Sequence, residues 1–355
     1  MNWIGLRFDE QIMRLPQAVD AFGQIRLATG SIVLELDTAE LDAPFVDLLD
    51  YRDPVDWAHS IRVRLATSGH LSVEFQDGPH SFGAELSFSP LDEPTTVRVT
   101  LAWDCQHARG YIGLCLPALG RWHDTEMTPT FAPAYADLAA MLDSNVHWGI
   151  HPAVQLVGLS RAMEPIGVLP GICAGTPVAT ARGPVPIEDI VRGDLVMTAE
   201  HGLQPVRCAV ARVLPTFGWC APVLVPAPNF GLTRNMLVMP EHRFLIDSAE
   251  SEYLFGIARV LVRADMLRGI SLGRPPVAAR TASYHQLVFD RHELIGTAGC
   301  WTESLFTGEL GGTEQRLRNT VLDPARVGPV PIHKEMASPC LKDFEASVLV
   351  AEMCA

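Results

Sequence analysis

No stretch of the chain stays apolar for the roughly 18 residues that a membrane-spanning helix needs, so no membrane partner is expected. The opening segment, Met1 to Glu10, lacks a basic region followed by an apolar run, so a cleavable export signal is not expected either. Basic charge is scarce: 27 Lys and Arg stand against 41 Asp and Glu, a net charge of -14. No basic stripe offsets that excess, which excludes a sequence-independent grip on nucleic acid. The eight cysteines (105, 115, 173, 208, 220, 300, 340 and 354) never form a C-x-x-C pair, so neither a metal site nor a cofactor is expected. Reduced thiols in a cytoplasm are the expectation, with secretion lacking a cleavable signal as the alternative. Internal repeats and low-complexity tracts are absent. With 48% hydrophobic and 19% charged residues over 355 positions, the chain reads as globular and large enough for two domains.

The first 165 residues carry several short apolar or alternating runs: Ser31–Leu36, Ile61–Leu65, Leu71–Phe75 and Val97–Trp103. Ile61–Leu65 and Leu71–Phe75 alternate nearly strictly, as antiparallel strands do when one face meets water. Turn signals at Thr67-Ser68-Gly69-His70 and Gln76-Asp77-Gly78-Pro79 separate them. The pattern predicts a β-sandwich with Val63, Leu65, Val73, Phe75, Val99, Leu101 and Trp103 facing the core. The strand ending at Trp103, the Asp104–Gly110 turn and the strand Tyr111–Leu116 resemble the central hairpin of a concanavalin-like, laminin-G-type jelly roll. Residues 133–142 read as a helix at one edge. The segment 160–172, with Pro165, Gly167, Pro170 and Gly171, is the predicted linker.

A different pattern begins at Gly171-Ile172-Cys173-Ala174-Gly175-Thr176, a strand-like run. It continues through Ala181–Val196 as turn, short helical piece, Gly193-Asp194 turn and strand. Met239-Pro240-Glu241-His242 and Phe289-Asp290-Arg291-His292 follow. Taken together, residues from about 171 to 310 resemble a Hint (Hedgehog/intein) domain of the bacterial type. The expectation is an all-β chain: a sandwich over 1–165, a Hint-type β-horseshoe over 166–310, and an extension over 311–355 ending in a short docking helix. In that helix Leu341, Phe344, Val348 and Leu349 share one predicted face.

The resemblance implies a reaction. In this family a cysteine attacks the carbonyl before it, and the amide becomes a thioester. Here the nucleophile would be Cys173 and the bond Ile172–Cys173, cut by an N–S acyl shift. Such a step needs a thiolate, an acid for the departing nitrogen and donors for the oxyanion. The resemblance assigns the acid to His242, sets Thr176 in the loop after the nucleophile, and brings Asp290 and His292 back beside the first strand. Alternation puts those two on one face, with Asp290 either orienting a histidine or pairing with Arg291 or Arg243.

The chain departs from the family in three places. Met239 stands where a threonine is usual, the loop after Cys173 is two residues short, and Glu303-Ser304 replaces the His-Asn that completes splicing. Autoproteolysis without splicing is therefore one expectation. The alternative is a non-catalytic Hint scaffold carrying a sandwich that binds carbohydrate or protein. A trans-acting cysteine hydrolase using Cys173 and His242 is disfavoured, because a Hint nucleophile faces its own backbone.

Overall fold

The computed structural model describes residues 2–8, 11–14, 26–53, 59–143, 148–167, 171–216, 218–269, 280–308 and 317–353. The chain forms two compact units, Met1–Gly167 and Val168–Ala355. Among the described residues the structure is mostly antiparallel strand, with few helices. No described helix is long and apolar enough to cross a membrane.

In the first unit a seven-stranded sheet is built outward from Thr29–Asp37, which lies between Thr96–Asp104 and Val154–Ser160. A five-stranded sheet holds, in order, Trp148–Ile150, Phe45–Arg52, His59–Ala66, His70–Asp77 and His80–Ser87. Alternation selects the core as expected: Val63, Leu65, Val73, Phe75, Val99, Leu101 and Trp103 are each 4% exposed or less. The Phe75 ring stacks on Phe82 at 4.7 Å and meets the edge of Trp103 at 5.8 Å. Trp103 also donates its indole N–H to the Leu27 carbonyl at 2.8 Å, so its polar atom is satisfied inside the core. The expected hairpin is present, with Thr96–Asp104 paired to Arg109–Leu116. Asp104 closes its turn by accepting from the Gln106 and His107 amides. The helix Tyr135–Ala140 places Leu138 in the core.

The described residues of the predicted linker that follow Val154–Ser160, 161–167, are not a free segment, and Pro170 lies outside the described residues. Ile166 packs with Ala102 and Tyr111 on the outer side of the larger sheet, and Glu164 is held by Ser160.

The second unit also has two sheets. One runs Cys208–Pro215, Thr281–Val288, Ile172–Cys173, Met236–Val238, Val223–Val225, which puts Ile172–Cys173 in the middle. The other is eight-stranded and contains Pro177–Thr180, Leu294–Thr297, Cys300–Glu303, Arg243–Asp247 and Arg259–Arg263. The resemblance brings Asp290 and His292 back beside the start of the domain, which sets the run 176–180 next to a strand containing Phe289–Glu293; in the structure that run is the strand Pro177–Thr180. Its partner is the following strand, through Val178 and Thr297, because residues 289–293 form a bend between Thr281–Val288 and Leu294–Thr297.

The described part of the C-terminal region, residues 317–353, packs into this unit. Leu261 exchanges backbone hydrogen bonds with Pro339 and Leu341, and the helix Asp343–Met353 seals the core with Ala346, Leu349 and Val350. The sequence pattern had set Phe344 and Val348 on the docking face; they are 65% and 50% exposed. Docking on Ala264–Gly269 fixes the helix about its axis and selects the neighbouring stripe. Leu349→Ala is expected to cost about 2–5 kcal/mol, as buried leucine truncations do. Phe344→Ser should stay within about 0.5 kcal/mol, as exposed substitutions do. Urea unfolding of both variants checks this, and equal losses would contradict the assigned face.

Candidate functional site

Ile172 is fully buried and is paired on both sides, with Val238 and with His285. Cys173 is 5% exposed and stands opposite Tyr284. Burial pushes the Cys173 thiol up to about 12, with the adjacent Tyr284 hydroxyl pulling weakly the other way. That hydroxyl donates to the Cys220 carbonyl at 2.6 Å. The Cys173 carbonyl accepts from Thr176 Oγ1 at 2.8 Å. Past Cys173 the chain turns at Gly175, whose φ of 82° suits a residue without Cβ. Glu188 accepts the Gly175 amide at 2.7 Å, so it braces this loop from the short helical turn Ile187–Asp189.

The Met239–His242 run forms the turn between Met236–Val238 and Arg243–Asp247. Its first residue ties the turn to the central strand, with the Met239 amide donating to the Gly171 carbonyl at 2.8 Å. His242 follows by donating its own amide to the Met239 carbonyl. Its ring then fills the space above Gly171: a Cβ at 171 would lie 2.3 Å from Nδ1 and 2.7 Å from Cγ. No hydrogen bond joins the His242 ring to Cys173 among the described contacts. Nε2 is buried without a protein partner, and the ring meets the edge of Phe244 at 5.8 Å. Burial, with Arg243 adding to it, lowers His242 to about 3.

The remaining sequence-predicted residues lie elsewhere. Asp290 does not orient a histidine and does not pair with Arg291 or Arg243. It is exposed on the 289–293 bend and accepts from Arg207 Nε at 2.8 Å, which holds its carboxyl below the usual range. His292, two residues on, is buried, so the two do not share an environment. Its Nδ1 accepts from the Ala337 amide at 2.9 Å, and its Nε2 therefore donates to the Ser304 carbonyl at 3.1 Å. Burial, with His333 and Arg243 nearby, lowers it to about 3. His333 is fixed in the same tautomer, accepting from Thr307 and donating to Phe289. Beside them Arg243 meets Glu303 at 2.9 Å, the carboxylate buried and the guanidinium partly exposed. His292 therefore belongs to a structural polar cluster closed by the C-terminal region, not to the surroundings of Cys173. Glycine carries no chemistry, and Tyr284 and His333 sit in ordinary apolar or loop contexts. Sequence reasoning missed all three for that reason.

The arrangement holds a protonated thiol beside a tyrosine and a neutral imidazole beside a glycine. Two histidines kept neutral by burial give the unit a pH signature. Their folded values near 3 lie below the ordinary 6.5, so the unfolded chain binds the extra protons between those limits. Stability present above pH 6.5 is thus lost as pH falls toward 3, by up to about 1.4 kcal/mol per pH unit per histidine. His242→Gln should flatten that slope by about one histidine's share in urea midpoints taken at stepped pH. An unchanged slope would contradict the burial of a neutral ring.

Residues 170–309 match the family model described as Hint domain, less than half of the chain. None of the curated proteins matches it. Among solved structures, the CBM40 of a Ruminococcus gnavus IT-sialidase aligns with a TM-score of 0.29 at 13% identity, covering 38% of this chain and 77% of that one. A leech intramolecular trans-sialidase gives 0.30 at 10%, covering 47% and 26%. The LG1-3 region of the laminin alpha2 chain gives 0.28 at 9%, covering 85% and 55%. The sandwich likeness is too weak to carry function. The match over the second unit stands on its sequence: residues 170–309 are a Hint domain.

Proposed function

We propose that this Hint domain is a scaffold that does not carry out the acyl shift, and that the β-sandwich is the working part, a binding module for carbohydrate or protein. One observation carries the first half: the His242 ring is packed on Gly171 and makes no hydrogen bond at the Cys173 nitrogen. An acid must reach the leaving nitrogen to assist its departure. A lowered imidazole pKa leaves it unprotonated at neutral pH, and a buried thiol raised to about 12 supplies almost no thiolate. The peptide to be cut also belongs to the central strand of its sheet, where forming a tetrahedral carbon would disturb pairing on both sides.

For the sandwich, support comes from a small surface cleft lined by polar and aromatic residues, among them Tyr51, Phe131, Gln76 and Asp137. Such a mixture suits an oriented polar ligand.

Slow autoproteolysis at Ile172–Cys173 is the second reading. The Thr176 bond to the Cys173 carbonyl, which fixes the backbone just after the scissile peptide, favours it. Intact-mass spectrometry after prolonged incubation with dithiothreitol separates the two. The scaffold reading expects the full 38.7 kDa chain, unchanged by Cys173→Ala. Thiol-dependent cleavage after Ile172, abolished by Cys173→Ala, would overturn it.

A further inference from the structure

The first unit gathers ligating side chains from three separate places. Asp53 follows the strand Phe45–Arg52, His59 opens the strand His59–Ala66, and Asp137 lies in the helix Tyr135–Ala140. One ligand atom from each lies within 4.8 Å of the others, and all three residues are half-buried. His59 and Asp137 line the cleft that also presents Ser60, Gln76 and Phe131. An outer ring of polar groups holds them. Asp77 Oδ1 is 2.7 Å from His59 Nε2, Arg26 pairs with Asp77, and the Tyr51 hydroxyl donates to Asp137 Oδ1 at 2.8 Å.

We propose that Asp53, His59 and Asp137 bind one divalent cation of the zinc type at the wall of this cleft. The site goes beyond the scaffold reading of the Hint domain and does not depend on it. The donor set decides the class of ion. A histidine nitrogen with two carboxylate oxygens suits zinc and its first-row neighbours, whereas calcium and magnesium favour oxygen alone. Ligand atoms on a tetrahedral zinc stand roughly 3.4 Å apart for bonds of about 2.0–2.2 Å, so rotamer-scale adjustment brings this group onto an ion.

The surroundings fit as well. Metal-bound histidines are commonly oriented by a carboxylate on the other ring nitrogen, the relation in which Asp77 stands to His59. Three protein ligands leave a fourth position for water or a ligand oxygen from the cleft. The ion would also tie the helix Tyr135–Ala140 to the five-stranded sheet, because its ligands come from both.

Sequence spacing could not announce this site, since 53, 59 and 137 match no metal motif and the cysteines take no part. Isothermal titration of the intact chain with zinc chloride tests it, with far-ultraviolet circular dichroism confirming that each variant is folded. One equivalent is expected, weakened at least tenfold by Asp137→Asn and by Asp53→Asn, and about tenfold by Tyr51→Phe as a positioning change. Cobalt(II) bound to the wild-type chain should show visible ligand-field bands without thiolate charge-transfer bands, a readout that survives if a variant fails to fold. Absence of binding, binding indifferent to these substitutions, or thiolate bands would overturn the proposal. The three side chains would then be a histidine ion-paired with two carboxylates.

Discussion

The contact between the His242 imidazole and the Cα of Gly171 governs the interior of the Hint domain. Glycine is required at that point: any side chain would enter the ring at 2.3–2.9 Å, closer than packed atoms approach. Because the ring fills that space, the Met239–His242 turn can close on the central strand through the Met239 to Gly171 hydrogen bond. The carbonyl of His242 in turn accepts from Ala264, which anchors the segment on which the C-terminal helix docks. One close approach thus links the start of the domain to its last element.

Immediately after His242 the chain enters a region of buried charge. Arg243 donates to Glu303 through its backbone amide and one terminal guanidinium nitrogen, while its Nε is buried without a partner. His292 and His333 are satisfied by backbone groups, several of them from residues beyond 303. Removing Arg243 would leave Glu303 buried and unpaired, a change that costs about 3–5 kcal/mol. The resemblance to splicing domains sets Glu303-Ser304 where a His-Asn pair is usual. In this chain those two residues hold structure: Glu303 carries Arg243, and the Ser304 hydroxyl accepts the Glu293 amide. The departure from the splicing pattern therefore has a positive structural role.

Much of the fold was legible because alternation at period two needs no tertiary information. Val63, Leu65, Val73 and Phe75 announce their face on their own. Legibility failed where tertiary geometry chose between local options. Phe289–Glu293 looked like strand, yet Asp290 and Arg291 turn outward and His292 inward, which a bend permits and a strand does not. Phe344 and Val348 looked like a docking face, yet packing on Ala264–Gly269 selected Ala346, Leu349 and Val350. At the site the motif histidine was found from sequence, but its partner was not. The residue it faces is a glycine two positions before the cysteine, and nothing in a glycine's chemistry marks that role.

The central claim is that His242 serves packing at Gly171 and not proton transfer at Ile172–Cys173. Nuclear magnetic resonance of the His242 ring nitrogens, followed with pH alongside the Cys173 amide, tests it most directly. The account predicts a neutral ring throughout the range in which the domain stays folded, with a Cys173 amide that does not respond near pH 6.5, the ordinary histidine value. A ring titrating near that value, with the Cys173 amide shifting in step, would contradict it and return the histidine to the chemistry.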